Sequence, residues 1–225
     1  MGFQSYILGE VTTALPKLAN PTAAVEMQAY MKNIAPYFGI KTPDRRAALK
    51  PIYKSAPIPT SDQLGKTARA LWKLDEREYQ YAATFMLEYF QDYLEKDFLK
   101  EHCEYLLTHK SWWDSVDSLG TVAISPLTER FNLLPLMNKW NKSSNIWLVR
   151  AAIQHQRGRK TDTDVALLLR YCHDHADDHT FWIAKAIGWA LRDLARFNRP
   201  AVTKFLADHP GLDRVAVREA LKHAK

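Results

Sequence analysis

The residues best suited to chemistry lie in one short segment, residues 109–119, which carries two adjacent tryptophans and two aspartates. Trp113 and Asp117 are four residues apart, and on a helix that spacing puts both side chains on one face. A large aromatic plane beside an unpaired carboxylate suits neither a solvated surface nor an apolar core. The pair is therefore predicted to form a functional site.

Other residues of the same segment have structural explanations. Ser111 followed by Asp114 has the spacing of a helix capping box, which predicts that Asp114 stabilises the start of a helix. In that helix Trp112 shares an apolar face with Val116 and Leu119. Trp112 is therefore predicted to lie in the core rather than in the site.

A second candidate surface lies on the helix predicted over residues 180–197. Its core stripe is predicted to be Ile183, Ile187, Ala190, Leu191 and Leu194. Tryptophans and cations with no acid among them form another stripe: Trp182, Lys185, Trp189, Arg192 and Arg196. Such a surface suits phosphates and bases. The alternative is a set of cations that extend over partly buried tryptophans, but the combination of Trp with Arg favours a nucleic acid.

Three further arginines leave alternatives open. Arg150 lies on an otherwise apolar helix predicted over residues 145–156, so it is either paired in the core or directed at a ligand. Arg45 and Arg46 fall in the first turns of a helix predicted to begin at Thr42, where cations oppose the helix dipole. They either bind an external anion or are solvated surface residues.

The elements that must position these residues are predicted to be helices throughout. Helical periodicity is nearly continuous, glycine is scarce at 8 of 225 residues, and no strand pattern is present. About a dozen short helices with short loops predict an all-α fold, an α-solenoid of stacked antiparallel HEAT-like helix pairs with a concave face. Residues 1–225 are predicted to form a single domain.

The other predicted helices are bounded by Pro, Gly and Asn clusters. They cover residues 20–34, 61–72, 75–94 and 161–172, with short helices near Pro126 and Pro135 and two at the end of the chain.

Composition limits the class of protein and its surroundings. A net charge of +6 and a pI near 9.2 are weak evidence for an anionic partner. The two cysteines are too few for a disulfide framework and indicate a reducing compartment. No apolar run reaches the length of a membrane span, and the N-terminal residues lack the pattern of a signal peptide. We therefore expect a cytoplasmic protein without a membrane partner.

One cluster has spacing that suggests metal binding: Cys172, His173, His175 and His179. Structural zinc sites need four well-spaced ligands, and the acidic residues around these histidines are typical of a polar loop. No metal is therefore expected. The sequence also lacks a glycine-rich phosphate loop, a nucleophile elbow and an HExxH motif.

The segments described above resemble the AlkD family of DNA alkylation repair glycosylases. The similarity lies in residues 110–117, read as Lys-Ser-Trp-Trp-Asp-Ser-Val-Asp, and in residues 145–156 and 183–192. Residues 30–33 and 39–46 also resemble the N-terminal region of that family. The resemblance therefore extends from about residue 20 to the end of the chain.

This resemblance implies a curved stack of helix pairs with duplex DNA along its concave face. It implies excision of positively charged N3- or N7-alkylated purines, such as 3-methyladenine and 7-methylguanine, by hydrolysis of the N-glycosidic bond. No cofactor or metal takes part, and the base is not flipped into a pocket. The expected state is a monomer on double-stranded DNA, in the cytoplasm and associated with the nucleoid.

The resemblance also implies roles for individual residues. Asp117 matches the catalytic aspartate, which stabilises an oxocarbenium-like transition state and holds water, while Trp113 and Trp189 match the two active-site tryptophans. The expected DNA-binding residues are Arg150, Arg192, Tyr30, Lys185 and Arg46. Two rival functions remain: a DNA-structure-binding protein that does not use Asp117, and a protein-interaction scaffold, which would be expected to have an apolar or acidic groove.

Overall fold

The computed structural model describes residues 2–222, and every regular element within them is helical. The α-helices are α1 Phe3–Ala14, α2 Pro21–Tyr30, α3 Thr42–Ser55, α4 Ser61–Lys73, α5 Arg77–Tyr89, α6 Glu104–Thr108, α7 Trp113–Leu119, α8 Ser125–Arg130, α9 Leu134–Asn141, α10 Ile146–Gln154, α11 Val165–Asp174, α12 Phe181–Ala195, α13 Arg199–Asp208 and α14 Arg214–Ala220. The predicted all-α fold class is therefore confirmed. Between residues 2 and 222, no helix has both the length and the apolar character needed to cross a membrane.

The chain forms two compact units, Met1–Ser111 with α1 to α6 and Trp112–Lys225 with α7 to α14. The prediction of a single domain over residues 1–225 stays a prediction, and its residues 1 and 223–225 lie outside the described part of the chain.

In the first unit, α4 packs against α1 and α5, and α3 packs against the same two helices. Buried Glu78 of α5 fixes the loop after α2, because its carboxylate accepts hydrogen bonds from the backbone N–H groups of Phe38, Gly39 and Ile40. Gly39 has φ 85°, and a Cβ there would collide with the backbone of Asn20. This loop therefore needs glycine at residue 39.

Several helix boundaries differ from the predicted ones for local reasons. Asn20 lies at the predicted start of α2 and caps the helix, since its side chain accepts the Ala23 N–H at 3.0 Å. The helix ends at Tyr30 instead of residue 34, because Lys32 and Asn33 have φ values of 61° and 55°.

Helices α3 and α5 also differ from the prediction in their boundaries, and α1 is absent from the predicted helices. The N-cap of α3 is Lys41, one residue before the predicted start, and α5 ends at Tyr89 before a 3₁₀ turn over Gln91–Tyr93. Helix α1 buries Phe3, Ile7 and Val11 at four-residue spacing. That spacing is itself a helical signature.

In the second unit, α10 packs against α7, α9, α11 and α12, and α12 packs against α13 and α14. The predicted core stripe of α12 is confirmed, because all five of its residues are buried. Gly188 allows α14 to approach closely: a Cβ on Gly188 would lie 2.6 Å from Glu219 Cβ and 2.7 Å from the Ala216 carbonyl oxygen. These contacts set the positions of the functional side chains on α7, α10 and α12.

Candidate active site

The start of α7 differs from the predicted capping box. The N-cap residue is Trp112, and no side chain caps the helix. The Ser111 hydroxyl donates instead to the Leu107 carbonyl oxygen at 2.6 Å. The prediction that Ser111 and Asp114 form a capping box is therefore wrong, because the serine is used by the preceding turn of chain.

Asp117 lies on α7, one helical turn after Trp113, as the four-residue spacing predicts. Trp113 is half-buried, and the Asp117 side chain keeps 14% of its surface exposed. The chain continues from α7 directly into a π-helical turn over Gly120–Ile124. Such turns occur often at functional sites.

The carboxylate of Asp117 is paired with Arg150 of α10. Arg150 Nε donates to Oδ1 and Nη2 donates to Oδ2, both at 2.9 Å, while Nη1 donates to the Trp182 carbonyl oxygen at 2.7 Å. The Arg150 side chain is only 1% exposed. The description of Asp117 as an unpaired carboxylate is therefore wrong. Of the two alternatives for Arg150, pairing in the core is the one observed.

This geometry leaves each carboxylate oxygen of Asp117 with hydrogen-bonding capacity. An ionised carboxylate offers about four lone-pair positions on its two oxygens, and Arg150 uses one on each oxygen. The fork of two parallel bonds fixes the plane of the carboxylate as well as its position. Asp117 can therefore hold a water molecule or face a cationic centre without moving.

Trp189 of α12 lies next to this pair. Arg150 Cζ is 5.2 Å from the centroid of the Trp189 ring. Lys185 Nζ and the Cζ atoms of Arg157 and Arg192 each lie 5.6 Å from the same centroid. The half-buried ring is thus surrounded by cations, and Asp117, Arg150 and Trp189 form one continuous group of contacts.

Glu219 of α14 also belongs to this group, although it is not among the predicted site residues. Its Oε1 accepts a hydrogen bond from Lys185 Nζ at 2.7 Å, and its Oε2 accepts from Trp189 Nε1 at 3.1 Å and Arg192 Nη1 at 3.2 Å. The hydrogen bond from Lys185 lowers the pKa of Glu219, although burial opposes that shift. A glutamate beside Ala216 on the buried side of α14 is the pattern that could have indicated it.

An aromatic cluster supports the backbone that holds Arg150. The rings of Trp112, Trp147 and Trp182 are mutual neighbours, with centroid distances of 5.2 to 5.9 Å. Trp112 is half-buried in this cluster and its Nε1 is buried, so it takes part in packing as predicted, at the edge of the core. The cluster fixes Trp182, whose carbonyl oxygen accepts the third hydrogen bond from Arg150.

The family model for DNA alkylation repair enzymes matches residues 11–224. The chain belongs to the DNA alkylation repair enzyme family. A solved structure described as a predicted DNA alkylation repair enzyme from Enterococcus faecalis is 28% identical, with a TM-score of 0.79 over 91% of this chain and 96% of that chain.

Two more distant structures share the fold of this family member. AlkD2 from Streptococcus mutans is 19% identical, with a TM-score of 0.61 over 82% of this chain and 90% of its own. The protein smu.31 from Streptococcus mutans UA159 is also 19% identical, with a TM-score of 0.60 over 80% and 92% of the two chains. No curated protein matches the chain.

The remaining predicted DNA-binding residues of this DNA alkylation repair family member lie in its first unit. Tyr30 ends α2 and is 72% exposed. Arg46 forms two hydrogen bonds to Glu88, at 2.8 and 2.6 Å, and its guanidinium lies 3.9 Å from the centroid of the Phe85 ring. Arg45 is buried, with its guanidinium 4.5 Å from the Tyr81 ring centroid.

These arginine contacts change the expectation for Arg45 and Arg46. Arg45 is buried, so the description of it as a solvated surface arginine is wrong, whereas Arg46 lies at the surface and is paired with Glu88. An external anion at Arg46 stays a prediction, because 43% of that side chain is exposed. A phosphate contact by Arg150 also stays a prediction, although all three of its donating nitrogens already have protein acceptors.

The cysteine and histidine cluster does not converge on one point. His173 contacts His209 at 2.8 Å, His175 contacts the Asn141 carbonyl oxygen at 2.8 Å, and His179 lies 3.5 Å from Asp213. Cys172 is buried, which raises the pKa of its thiol. Within residues 2–222, no three or more His, Cys, Asp or Glu side chains are grouped as metal ligands.

Proposed function

We propose that the protein is a DNA glycosylase that removes positively charged N3- or N7-alkylated purines from duplex DNA by hydrolysing the N-glycosidic bond. The observation that carries this proposal is the carboxylate of Asp117, oriented by Arg150 and flanked on its own helix by Trp113. Membership of the DNA alkylation repair family supports the same chemistry.

Hydrolysis of this glycosidic bond needs negative charge held close to the sugar, which the fixed carboxylate of Asp117 provides. Alkylation at N3 or N7 gives the purine a positive charge, which makes it a good leaving group without a strong general acid. As the glycosidic bond breaks, positive charge develops on the sugar, and a carboxylate already in position stabilises that charge. The free lone pairs of Asp117 can also hold the water that attacks the sugar. The neutral base leaves with the electrons of the glycosidic bond, the water oxygen bonds to the anomeric carbon, and the proton that this water loses passes to the Asp117 carboxylate and from there to solvent.

The tryptophans would act on the sugar and backbone at the lesion. The π faces of Trp113 and Trp189 favour a neighbouring centre with cationic character. Because we propose no insertion of the base into a tight pocket, selection would follow the charge of the lesion more than the shape of the base.

The DNA contacts would come from groups that are already cationic and partly exposed. The side chains of Lys185 and Arg192 are 22% and 20% exposed and share Glu219, while Arg46 is more open. Tyr30 would contact the DNA near the lesion. We propose that Arg150 acts mainly through Asp117, because its buried guanidinium holds the carboxylate. We also propose that the protein binds nucleoid DNA in the cytoplasm as a monomer and that it needs no cofactor.

The test is release of 7-methylguanine from methylated duplex DNA by the native protein and by Asp117→Asn. Asp208→Asn is the matched control, since Asp208 is exposed on α13 and pairs only with Lys204 in the described part of the chain. Thermal melting shows whether each variant is folded, because Asp117→Asn leaves the buried Arg150 without a charged partner.

Three outcomes separate the competing functions. The glycosylase proposal is supported if the native protein and the Asp208 variant both release 7-methylguanine. The role of Asp117 is supported if the Asp117 variant is folded and binds DNA but releases no base. Binding of duplex DNA by the native protein without any release supports a DNA-structure-binding protein instead. Absence of both binding and release supports a protein-interaction scaffold.

A further inference from the structure

A cleft of about 160 Å³ opens beside Trp189, on the part of the second unit formed by α10, the chain that follows it and α12. The residues that matter for its chemistry are Gln154, Arg157, Trp189, Asp193, Arg196 and Phe197. The volume is below the roughly 300–1,000 Å³ typical of pockets for drug-sized ligands. The cleft therefore suits a single planar ring system.

Gln154 gives this cleft an unused hydrogen-bond donor. The residue is only 9% exposed, and its Nε2 has no hydrogen-bond partner among the described residues. Nearly all buried polar groups in native proteins are paired. Gln154 lines the cleft, and because its Nε2 is buried as well as unpaired within the described part of the chain, a rotation of the amide towards the opening would bring this donor to an acceptor on a bound ligand. The proposed glycosylase chemistry at Asp117 does not use Gln154.

The walls of the cleft are aromatic and its rim is cationic. Trp189 and Phe197 both line it, and Phe197 is 47% exposed although it is a large apolar side chain. Arg157 and Arg196 are exposed, and neither has an ion-pair partner within residues 2–222. The acid that lines the cleft, Asp193, lies 4.0 Å from Arg192 Nε. Aromatic faces combined with cations favour stacked bases and phosphates.

We propose that this cleft binds one unstacked nucleotide. Its base stacks on the exposed ring of Phe197 beside Trp189, a ring nitrogen or carbonyl oxygen of the base accepts from Gln154 Nε2, and its phosphate lies against Arg157 and Arg196. A neutral base with an anionic phosphate fits this rim, whereas a cationic alkylpurine would be repelled by the two arginines. The nucleotide comes either from a DNA strand or from the free pool.

Binding experiments distinguish these two sources. The probes are a fully paired DNA duplex, the same duplex with one bulged adenine, and free dAMP, with inorganic phosphate as the anion control. We expect the bulged duplex to bind about tenfold more tightly than the paired duplex, which corresponds to one base stacked on an aromatic side chain. The cleft would be assigned to free nucleotides if dAMP binds saturably, inorganic phosphate does not, and the bulged duplex binds no more tightly than the paired one.

Two variants test whether the gain arises in this cleft. Gln154→Met removes the donor at nearly constant volume, and Phe197→Ala removes the exposed wall. Both are expected to abolish the tenfold gain while binding of paired duplex changes less than twofold. Phe181→Ala is the matched control, because Phe181 is 48% exposed at the other end of α12 and does not line the cleft. It should keep the full gain.

A second readout covers the folding of the variants and their glycosylase activity. Gln154→Met should melt at the same temperature as the native protein or higher, because the donor it removes has no partner in the free protein. The proposal is overturned if the bulge gives no gain and dAMP does not bind, or if the gain survives in both variants. Release of 7-methylguanine, measured on the same samples, reports separately on Asp117.

Discussion

Asp117 and Arg150 stand 33 positions apart in the chain and are joined by two parallel hydrogen bonds of 2.9 Å. The third donating nitrogen of Arg150 is bound to the carbonyl oxygen of Trp182, so three helices of the second unit meet at one guanidinium. A guanidinium can donate to all three of these oxygens at once, because it is planar and carries five N–H donors. The orientation of the carboxylate therefore depends on arginine specifically and not on positive charge alone.

Arg150→Lys tests this dependence. Lysine keeps the charge but cannot form the two parallel bonds, so Asp117 should lose its fixed orientation. We expect kcat for release of 7-methylguanine to fall about 100-fold, the usual cost of misplacing a catalytic group by about 1 Å, with little change in KM. Steady-state kinetics over a range of DNA concentrations give both constants.

The same experiment separates positioning from phosphate binding. If Arg150 acted mainly on a phosphate, lysine would keep that contact and the salt dependence of DNA binding, and kcat would change little. Arg214→Lys is the matched control, since Arg214 is exposed on α14, and it should leave both constants unchanged.

The pair between Arg46 and Glu88 predicts a competition with DNA. Both side chains are more than 40% exposed, so their ion pair contributes little to stability. Arg46→Gln should weaken duplex binding and reduce the slope of log K against log salt by about 0.9, the value for one lost phosphate contact. Glu88→Gln should strengthen binding, because it frees Arg46. Fluorescence anisotropy at several salt concentrations checks both; unchanged slopes would exclude Arg46 from the DNA contact.

Glu219 predicts a loss of stability on acidification. The pKa of Glu219 is below its ordinary value of 4.5, chiefly because Lys185 donates a hydrogen bond to it. The folded protein thus holds this proton less tightly than the unfolded chain, so Glu219 stabilises the fold above pH 4.5, and that stability is lost as the pH falls through the lowered pKa. We expect Glu219→Gln to cost roughly 1–3 kcal/mol at pH 7 and progressively less in acid. Urea unfolding at neutral and at acid pH measures this; a cost independent of pH would contradict it.

His155 predicts a separate change nearer to neutral pH. It is buried at the end of α10, and burial lowers its pKa from 6.5 to about 4, although Nδ1 donates to the Ala152 carbonyl oxygen. Between these values the unfolded chain binds a proton that the folded protein does not, so stability falls as the pH drops from 6.5 towards 4. For one such group, the free energy of unfolding changes by at most about 1.4 kcal/mol per pH unit.

Urea unfolding at pH 7 and pH 5 measures this slope for the native protein and His155→Gln. The variant should lack this part of the pH dependence. An equal slope in both proteins would place the responsible group elsewhere, and His173→Gln serves as the control because His173 lies on the surface of α11.

The buried stripes of the helices are the part of this fold that the sequence predicts well. A helix with one face in the core repeats its apolar residues with the helical period, and Ile183, Ile187 and Leu191 are all fully buried as that period predicts. The catalytic candidates Trp113 and Asp117 are also accessible to this reasoning, because four-residue spacing along one helix decides which side chains share a face.

The partners of the polar residues are less predictable, because they depend on which helices pack together. Spacing along α10 cannot decide between pairing and ligand binding for Arg150, since its partner lies on α7. In the same way, α12 carries no acid on its cationic stripe, and the acid that pairs with Lys185 and Arg192 comes from α14. Chain segments about 30 residues apart must be packed together before these charges can be matched.

The position of Glu219 has a consequence for the gene. A premature stop codon just after codon 213 would remove α14 and leave most of the chain, including Trp113, Asp117 and Arg150, intact. It would nevertheless expose the face of α12 at Gly188 and remove the carboxylate shared by Lys185, Trp189 and Arg192. Loss of α14 alone should therefore abolish the activity proposed here, even though Trp113, Asp117 and Arg150 are still present.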